Sequence, residues 1–170
     1  YWDQQFVALS VVLNEQRARY LTMLQQAVAE LVAEVPFLQG LQLSLATGWP
    51  DVAIEQLGDC LLQYFSSDLK FGYTQLGPQK ADLRLRVLGN DVDEVLSRGQ
   101  LKVLLFALKV AQSNVIFSSG FKQPLLLIDD LASELDDDSK RYIFDFLKKT
   151  QSQVFITAIE ESQILPQLAN

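Results

Sequence analysis

Histidine is absent from this chain of 170 residues, and cysteine occurs once, at Cys60. The first absence excludes zinc sites built on imidazole and Ser–His or Cys–His nucleophile pairs. The second excludes an internal disulfide framework and suits a reducing compartment. No stretch approaches a membrane span and no secretory signal opens the sequence, so a cytoplasmic location with no membrane partner is expected. Also missing is any Gly-x-x-x-x-Gly-Lys-Ser/Thr, the loop whose backbone N–H groups cradle a β-phosphate and whose lysine neutralises it. Positive charge is in deficit: the formal net charge is −7, with −6 over residues 1–69, +1 over 70–149 and −2 in the tail. Such a balance argues against a surface that binds nucleic acid throughout; any DNA contact must be a local patch or lie elsewhere in a longer protein. The sequence begins without Met inside a helical pattern, which reads as a piece of a longer protein.

What is present can build one good core and a smaller second one, since 49% of the residues are hydrophobic. Apolar residues recur at Phe6, Leu9, Leu13, Tyr20, Leu24, Val28, Leu31 and Val35, predicting a long amphipathic helix ended by Pro36. That helix is either packed on its own neighbours or offers a partner-binding surface. Leu41, Leu43 and Leu45 alternate with polar residues as a short strand. Gly48-Trp49-Pro50-Asp51 is a turn, with Asp51 the expected N-cap of a helix from Val52 to Ser66. After the turn Gly77-Pro78-Gln79-Lys80, a strand carries Arg84 and Arg86 on one face. Those two arginines, with Lys80, are either a solvated sheet edge or contacts to phosphate or DNA.

Two segments carry chemistry. Leu96-Ser97-Arg98-Gly99-Gln100 precedes an apolar helix, Leu101 to Ser113, read as buried nearly all round. Gly99 permits close backbone approach, Ser97 offers a hydroxyl, and a helix beginning near Gln100 turns its positive end toward a polyanion. Leu125-Leu126-Leu127-Ile128-Asp129-Asp130 reads as a buried parallel strand whose acidic end lies where open α/β sheets place ligands. Asp129 suits Mg²⁺, a hard cation that prefers oxygen, and Asp130 is the candidate to orient an attacking water. Alone, the first segment could be a core helix after a polar turn, and the second a strand ending in a solvated turn. With Ser133-Glu134-Leu135-Asp136 following, the set resembles the signature loop, Walker B strand and D-loop of ABC-type ATPase heads. Downstream, Asp137 or Asp138 is expected to cap a helix from Ser139 to Lys149, and Val154–Ala158 to form the next buried strand.

The resemblance then narrows. Phe71-Gly72-Tyr73-Thr74-Gln75-Leu76-Gly77-Pro78-Gln79-Lys80-Ala81-Asp82-Leu83 is similar to a RecF hallmark normally containing Gly-Pro-His-Arg. Arg98 within the signature and Asp130 after Asp129 are the RecF forms of those motifs, Gly48-Trp49 matches the RecF arm, and Gln153–Ala158 resembles the strand before the family's switch position. The implied fold is α/β: part of an ABC-type ATPase head, a mostly parallel sheet with flanking helices, over 71–170, plus a largely helical arm over 1–70. The resemblance implies ATP and Mg²⁺ as cofactors and an ATP-dependent homodimer in which Ser97, Arg98, Gly99 and Gln100 contact the nucleotide of the opposite protomer. It places Asp129 at Mg²⁺, Asp130 at the water, Ser133, Glu134, Leu135 and Asp136 across the dimer interface, and Thr157 near the γ-phosphate. It implies recognition of gapped DNA at single-strand/double-strand junctions, and work with RecO and RecR to load RecA. Because the Gly-Lys loop lies N-terminal to the arm in that family, this stretch alone is expected neither to bind ATP well nor to hydrolyse it. The rival readings are another ABC subunit, which the missing His and the arm disfavour, and a non-catalytic interaction module, which Asp130 and the acidic arm would fit.

Overall fold

The structure, a computed structural model, describes residues 2–50, 56–131 and 135–159. The element order is α1 (Trp2–Val32), β1 (Leu41–Ala46), α2 (Leu57–Phe71), β2 (Asp82–Val87), β3 (Asn90–Asp91), α3 (Val92–Val95), α4 (Arg98–Ser118), β4 (Leu125–Ile128), α5 (Asp137–Lys148) and β5 (Gln153–Ile156). Strands β1, β2 and β3 form one sheet in that order, and β4 and β5 form a second. Two compact units result. One contains the chain up to Thr22 with Leu43–Leu85; the other contains Met23–Gln42 with the chain from Arg86 onward.

In the first unit, α2 buries Leu57, Cys60 and Leu61 on Leu76, and Phe6, Val7 and Trp49 close over them. The expected cap Asp51 lies outside the described residues. Helix α2 runs from Leu57 to Phe71 rather than ending at Ser66, and stops where Gly72 enters the left-handed region at φ 77°. Two turns are pressed together by glycines. Gly77 N–H donates to Gly48 O at 2.9 Å, and a Cβ on Gly48, whose φ is +92°, would lie 2.2 Å from Gly77 O. Only glycine fits there. Arg17 donates to Pro78 O at 2.7 Å and holds the 3₁₀ turn Pro78–Lys80 from the other side.

In the second unit, the lower part of α1 buries Leu24, Val28, Leu31 and Val32. The helix ends at Val32, before the predicted stop, because Pro36 opens a short 3₁₀ turn instead of terminating α1 directly. Leu9 and Leu13, assigned to the same apolar stripe by periodicity, are exposed. Helix α4 packs on α5 through Val103, Leu104, Ala107, Val110 and Ala111 against Ile143, Phe144, Phe146 and Leu147. The expectation that α4 is buried all round is corrected: Leu105, Ile116 and Phe117 are exposed, so one face packs and one does not. By length and composition this helix is also apolar enough to cross a membrane, contrary to the reading that no stretch is. It carries Arg98, Lys102 and Lys109, and its packed face is that of a core helix.

Strands β4 and β5 pair in parallel, Leu125 with Gln153 through Ile128 with Ile156. Parallel strands are normally covered on both faces. Here the alternation leaves Leu125, Leu127 and Phe155 exposed, so the expected full burial of both strands does not hold among the described residues. Between β2 and β3 the two-residue turn Leu88-Gly89 has both φ values positive, the geometry of a type I′ hairpin.

Candidate functional site

Parallel pairing in register carries the chain ends of β4 and β5 to the same edge, where Asp129, Asp130 and Thr157 meet. Thr157 N–H donates to Ile128 O at 2.9 Å, extending the ladder by one step. Its hydroxyl then donates to Asp129 Oδ1 at 2.6 Å and accepts from the Asp130 N–H at 2.9 Å. A single side chain thereby orients both acidic residues. Asp130 has φ 48°, the left-handed region that Asp and Asn tolerate better than most side chains. That backbone supplies a local reason for Asp at this position.

Asp130 Oδ1 is buried and has no hydrogen-bond partner. Buried carboxylate oxygens are rarely left so, and an orphan at a strand's carboxyl end suits a water or ion brought with a ligand. Among the described residues no three Asp, Glu, Cys or His side chains gather into a metal cluster. Mg²⁺ does not require one: it is commonly held through one or two carboxylates, waters and phosphate oxygens. Exposed Asp129 and the orphaned oxygen of Asp130 fit that mode of binding. A largely apolar concavity of about 300 Å³, lined by Leu105, Phe106, Lys109 and Leu127 among others, ends at Asp129.

The signature segment sits on the N-terminus of α4, which starts earlier than expected, at Arg98. Ser97 is its N-cap. Ser97 Oγ accepts from Gln100 N–H at 3.3 Å while Gln100 Oε1 accepts from Ser97 N–H at 2.9 Å, a reciprocal capping box. Ser97 is thus an acceptor within the chain, and its hydroxyl proton remains able to donate outward. Arg98 stands in the first helical turn, where a cation opposes the helix dipole. Among the described residues it has no carboxylate partner, so an incoming anion would relieve the mismatch. A Cβ on Gly99 would meet only Ser139 Oγ, at 3.8 Å. Among the described residues nothing requires glycine there.

The D-loop is described in part. Ser133 and Glu134 lie outside the described residues; Leu135 is buried and Asp136 exposed. Asp136, not Asp137 or Asp138, caps α5, accepting from Ser139 N–H at 2.7 Å. The Ser139 backbone bond first, then its side chain and nearby Lys140, hold the Asp136 carboxyl below the usual carboxylate range.

The three basic candidates separate. Arg86 is engaged with Asp91 across the hairpin at 2.7 Å and is not a free phosphate contact; that pairing raises its pKa further. Lys80 lies 5.1 Å from the centre of the Tyr73 ring and has no ion-pair partner among the described residues. Arg84 is exposed and likewise unpaired there. Gln79 turns inward, donating to Leu76 O at 2.9 Å and Thr74 O at 3.2 Å, so it builds the turn that Lys80 projects from. Sequence reasoning missed Thr157 as the bridge between the Asp129 carboxylate and the Asp130 main chain, because strand register, not spacing, brings residues 28 apart together.

No family model matches the chain. It is 41% identical over 165 residues to the DNA replication and repair protein RecF of Pseudoalteromonas translucida (strain TAC 125), covering 96% of this chain and 45% of that protein. It is also 41% identical over 171 residues to the DNA replication and repair protein RecF of Vibrio campbellii (strain ATCC BAA-1116), covering 99% and 46%. A solved structure of the recombination mediator protein RecF with ATP, in the RecFOR pathway, superposes with a TM-score of 0.70 at 26% identity, covering 94% of this chain and 44% of that one. Its ATPγS counterpart gives 0.71 at 27%, covering 95% and 45%. Over nearly all of its own length the chain is thus similar to RecF proteins, and it spans somewhat less than half the length of the RecF proteins it matches.

Proposed function

We propose that this chain is the arm, residues 1–70, and the signature and Walker B portion, residues 71–170, of a cytoplasmic ATP-gated DNA-repair ATPase. The observation that carries the reading is the Asp129–Thr157–Asp130 constellation at the carboxyl ends of paired parallel strands, with an orphaned buried carboxylate oxygen. In this reading Asp129, fixed by Thr157, holds Mg²⁺, which would offset charge on the phosphate oxygens. Asp130 accepts a hydrogen bond from water through its unpartnered oxygen and aligns that water for attack. Ser97, Arg98, Gly99 and Gln100 meet a nucleotide bound by a second protomer, with the backbone of Gly99 approaching closest. Asp136, exposed, would lie along the same protomer boundary, with Ser133 and Glu134 assigned there by resemblance alone; Leu135 is buried within the chain. Nucleotide then favours the dimer because only the dimer contacts it from both sides, and hydrolysis resets the equilibrium.

The whole protein would recognise gapped DNA at single-strand/double-strand junctions and, with RecO and RecR, promote RecA loading. A chain that lacks the Gly-Lys phosphate loop should not turn over ATP by itself. The test is to join or mix the chain with the remaining portion of a RecF protein and measure Mg-ATP binding, dimerisation and turnover. Binding only in the completed protein is expected, and Asp130→Asn there should lower turnover by two orders of magnitude or so while leaving ATP-induced dimerisation intact. Asn keeps the left-handed backbone, so the change isolates the carboxylate. Unchanged turnover in this variant would remove Asp130 from the role given to it; tight ATP binding by the chain alone would overturn the division of the head.

A further inference from the structure

Within the first unit, the turn after β1 and the turn before β2 enclose a concavity of about 630 Å³, lined by Thr47, Trp49, Pro50, Lys80 and Arg84 among others. Its walls are held by the main-chain contact of Gly48 with Gly77 and by the Arg17 bond to Pro78 O, so the lining residues stand on a braced frame. Two cations open into it, and neither has an ion-pair partner among the described residues; Lys80 is steadied only by the face of Tyr73. Trp49 is half-buried, anchored on the α2 core on one side while lining the concavity on the other. Unpaired cations beside an anchored aromatic ring are the combination that holds a single strand of nucleic acid, charge on the backbone and ring on the base.

We propose that this concavity binds a nucleic-acid strand, with phosphates on Lys80 and Arg84 and a base or sugar against Trp49. Arg86 is outside the site because Asp91 already occupies it. The assignment rests on the DNA-repair reading above, and it places the contact within the first compact unit, on residues other than those of the carboxylate site. The position of Lys80 explains how a protein of net charge −7 can meet DNA: through one local basic pocket.

The experiment uses a Trp2→Phe background, in which Trp49 is the remaining tryptophan, and a single-stranded oligothymidylate as probe. Binding should quench Trp49 emission. Lys80→Gln with Arg84→Gln should weaken binding at least tenfold and make the dependence of log affinity on log salt shallower by about 1.4. The far-UV spectrum and melting point should be unchanged; if the pair perturbs folding, each single neutral variant should show about half the salt effect. Unchanged affinity in variants that still bind DNA would overturn the site and leave the repair reading standing. No oligonucleotide binding by the chain also overturns the site, and none by the chain completed to RecF length overturns the DNA reading itself. Displacement by polyglutamate as effective as by oligonucleotide would show a general anion site and refute the strand assignment.

Discussion

Gly99→Ala separates fold from function at a single methyl group. Gly99 lies in the first turn of α4, and a Cβ there would find Ser139 Oγ at 3.8 Å, an ordinary contact, and no other atom of the described residues within 4 Å. Alanine at a compatible helical position restricts the unfolded chain and adds roughly 0.4–1 kcal/mol of stability. For a protein of this size that corresponds to a melting point unchanged or raised by up to about 4 °C. Toward a nucleotide on a second protomer the same methyl stands where the backbone should approach. Losing one charge-assisted hydrogen bond removes about 1.5–3 kcal/mol, which is on the order of 10- to 150-fold in ATP-dependent dimer affinity. The assay pairs a thermal melt of the chain with light scattering of the completed protein titrated with ATPγS. Gly48→Ala is the contrast: φ is +92° and the added carbon would sit 2.2 Å from Gly77 O, so it should lose at least about 2 kcal/mol. A Gly99→Ala protein that melts lower, or dimerises as well as wild type, refutes the argument that the glycine serves an approach from outside.

Thr157→Val keeps the shape but removes both hydroxyl bonds, to Asp129 and from Asp130 N–H, and should cost about 1 kcal/mol by urea denaturation. Turnover by the completed protein should need more Mg²⁺, and Thr157→Ser should restore it; a Ser variant as impaired as Val would show that the hydroxyl is not what matters. Asp136→Asn removes charge from the α5 cap while retaining a side chain able to cap. Since the folded-state pKa of Asp136 is depressed, its charge stabilises the chain above the unfolded value near 4, and that stability is lost as pH falls through the folded value. The wild type should therefore melt above the variant at pH 7, with the gap closing in acid; a gap constant with pH would mean the charge contributes nothing.

Elements with one strong local cause are legible in the sequence. The short aliphatic run Leu125–Ile128 identifies a strand, and Tyr142, Ile143, Phe146 and Leu147 mark the packed face of α5. Errors arose where the deciding partner is distant. An all-apolar helix does not disclose which face is covered, so exposure of Leu105 was not legible in α4. Arg86 looked equivalent to Arg84 until the hairpin brought Asp91 opposite it. The α5 cap lies at Asp136 and not at Asp137 or Asp138; the three are chemically alike in sequence, and only the geometry of Ser139 N–H distinguishes them. At the site, the carboxylates were readable from their place after a hydrophobic strand. The hydroxyl that aligns them was readable only by resemblance, since Thr157 reaches Asp129 through strand register.

The bond between Gly48 and Gly77 also bears on how such a chain can vary over evolutionary time. It closes the stretch 49–76 at its base, while Trp49, Leu57, Cys60, Leu61 and Leu76 within the stretch are held in the core of the first unit. Once a base is fixed in this way, doubling the length of the enclosed chain costs only about 0.6 kcal/mol. Lengthening of an exposed turn within the stretch is therefore inexpensive, whereas Gly48 can gain a Cβ only if the turn at Gly77 moves, and Gly77 only if the side chains of Phe6 and Gln79 move. The prediction for lineages is a pair of positions that stay glycine, bracketing a segment that can change in length while its buried residues stay apolar.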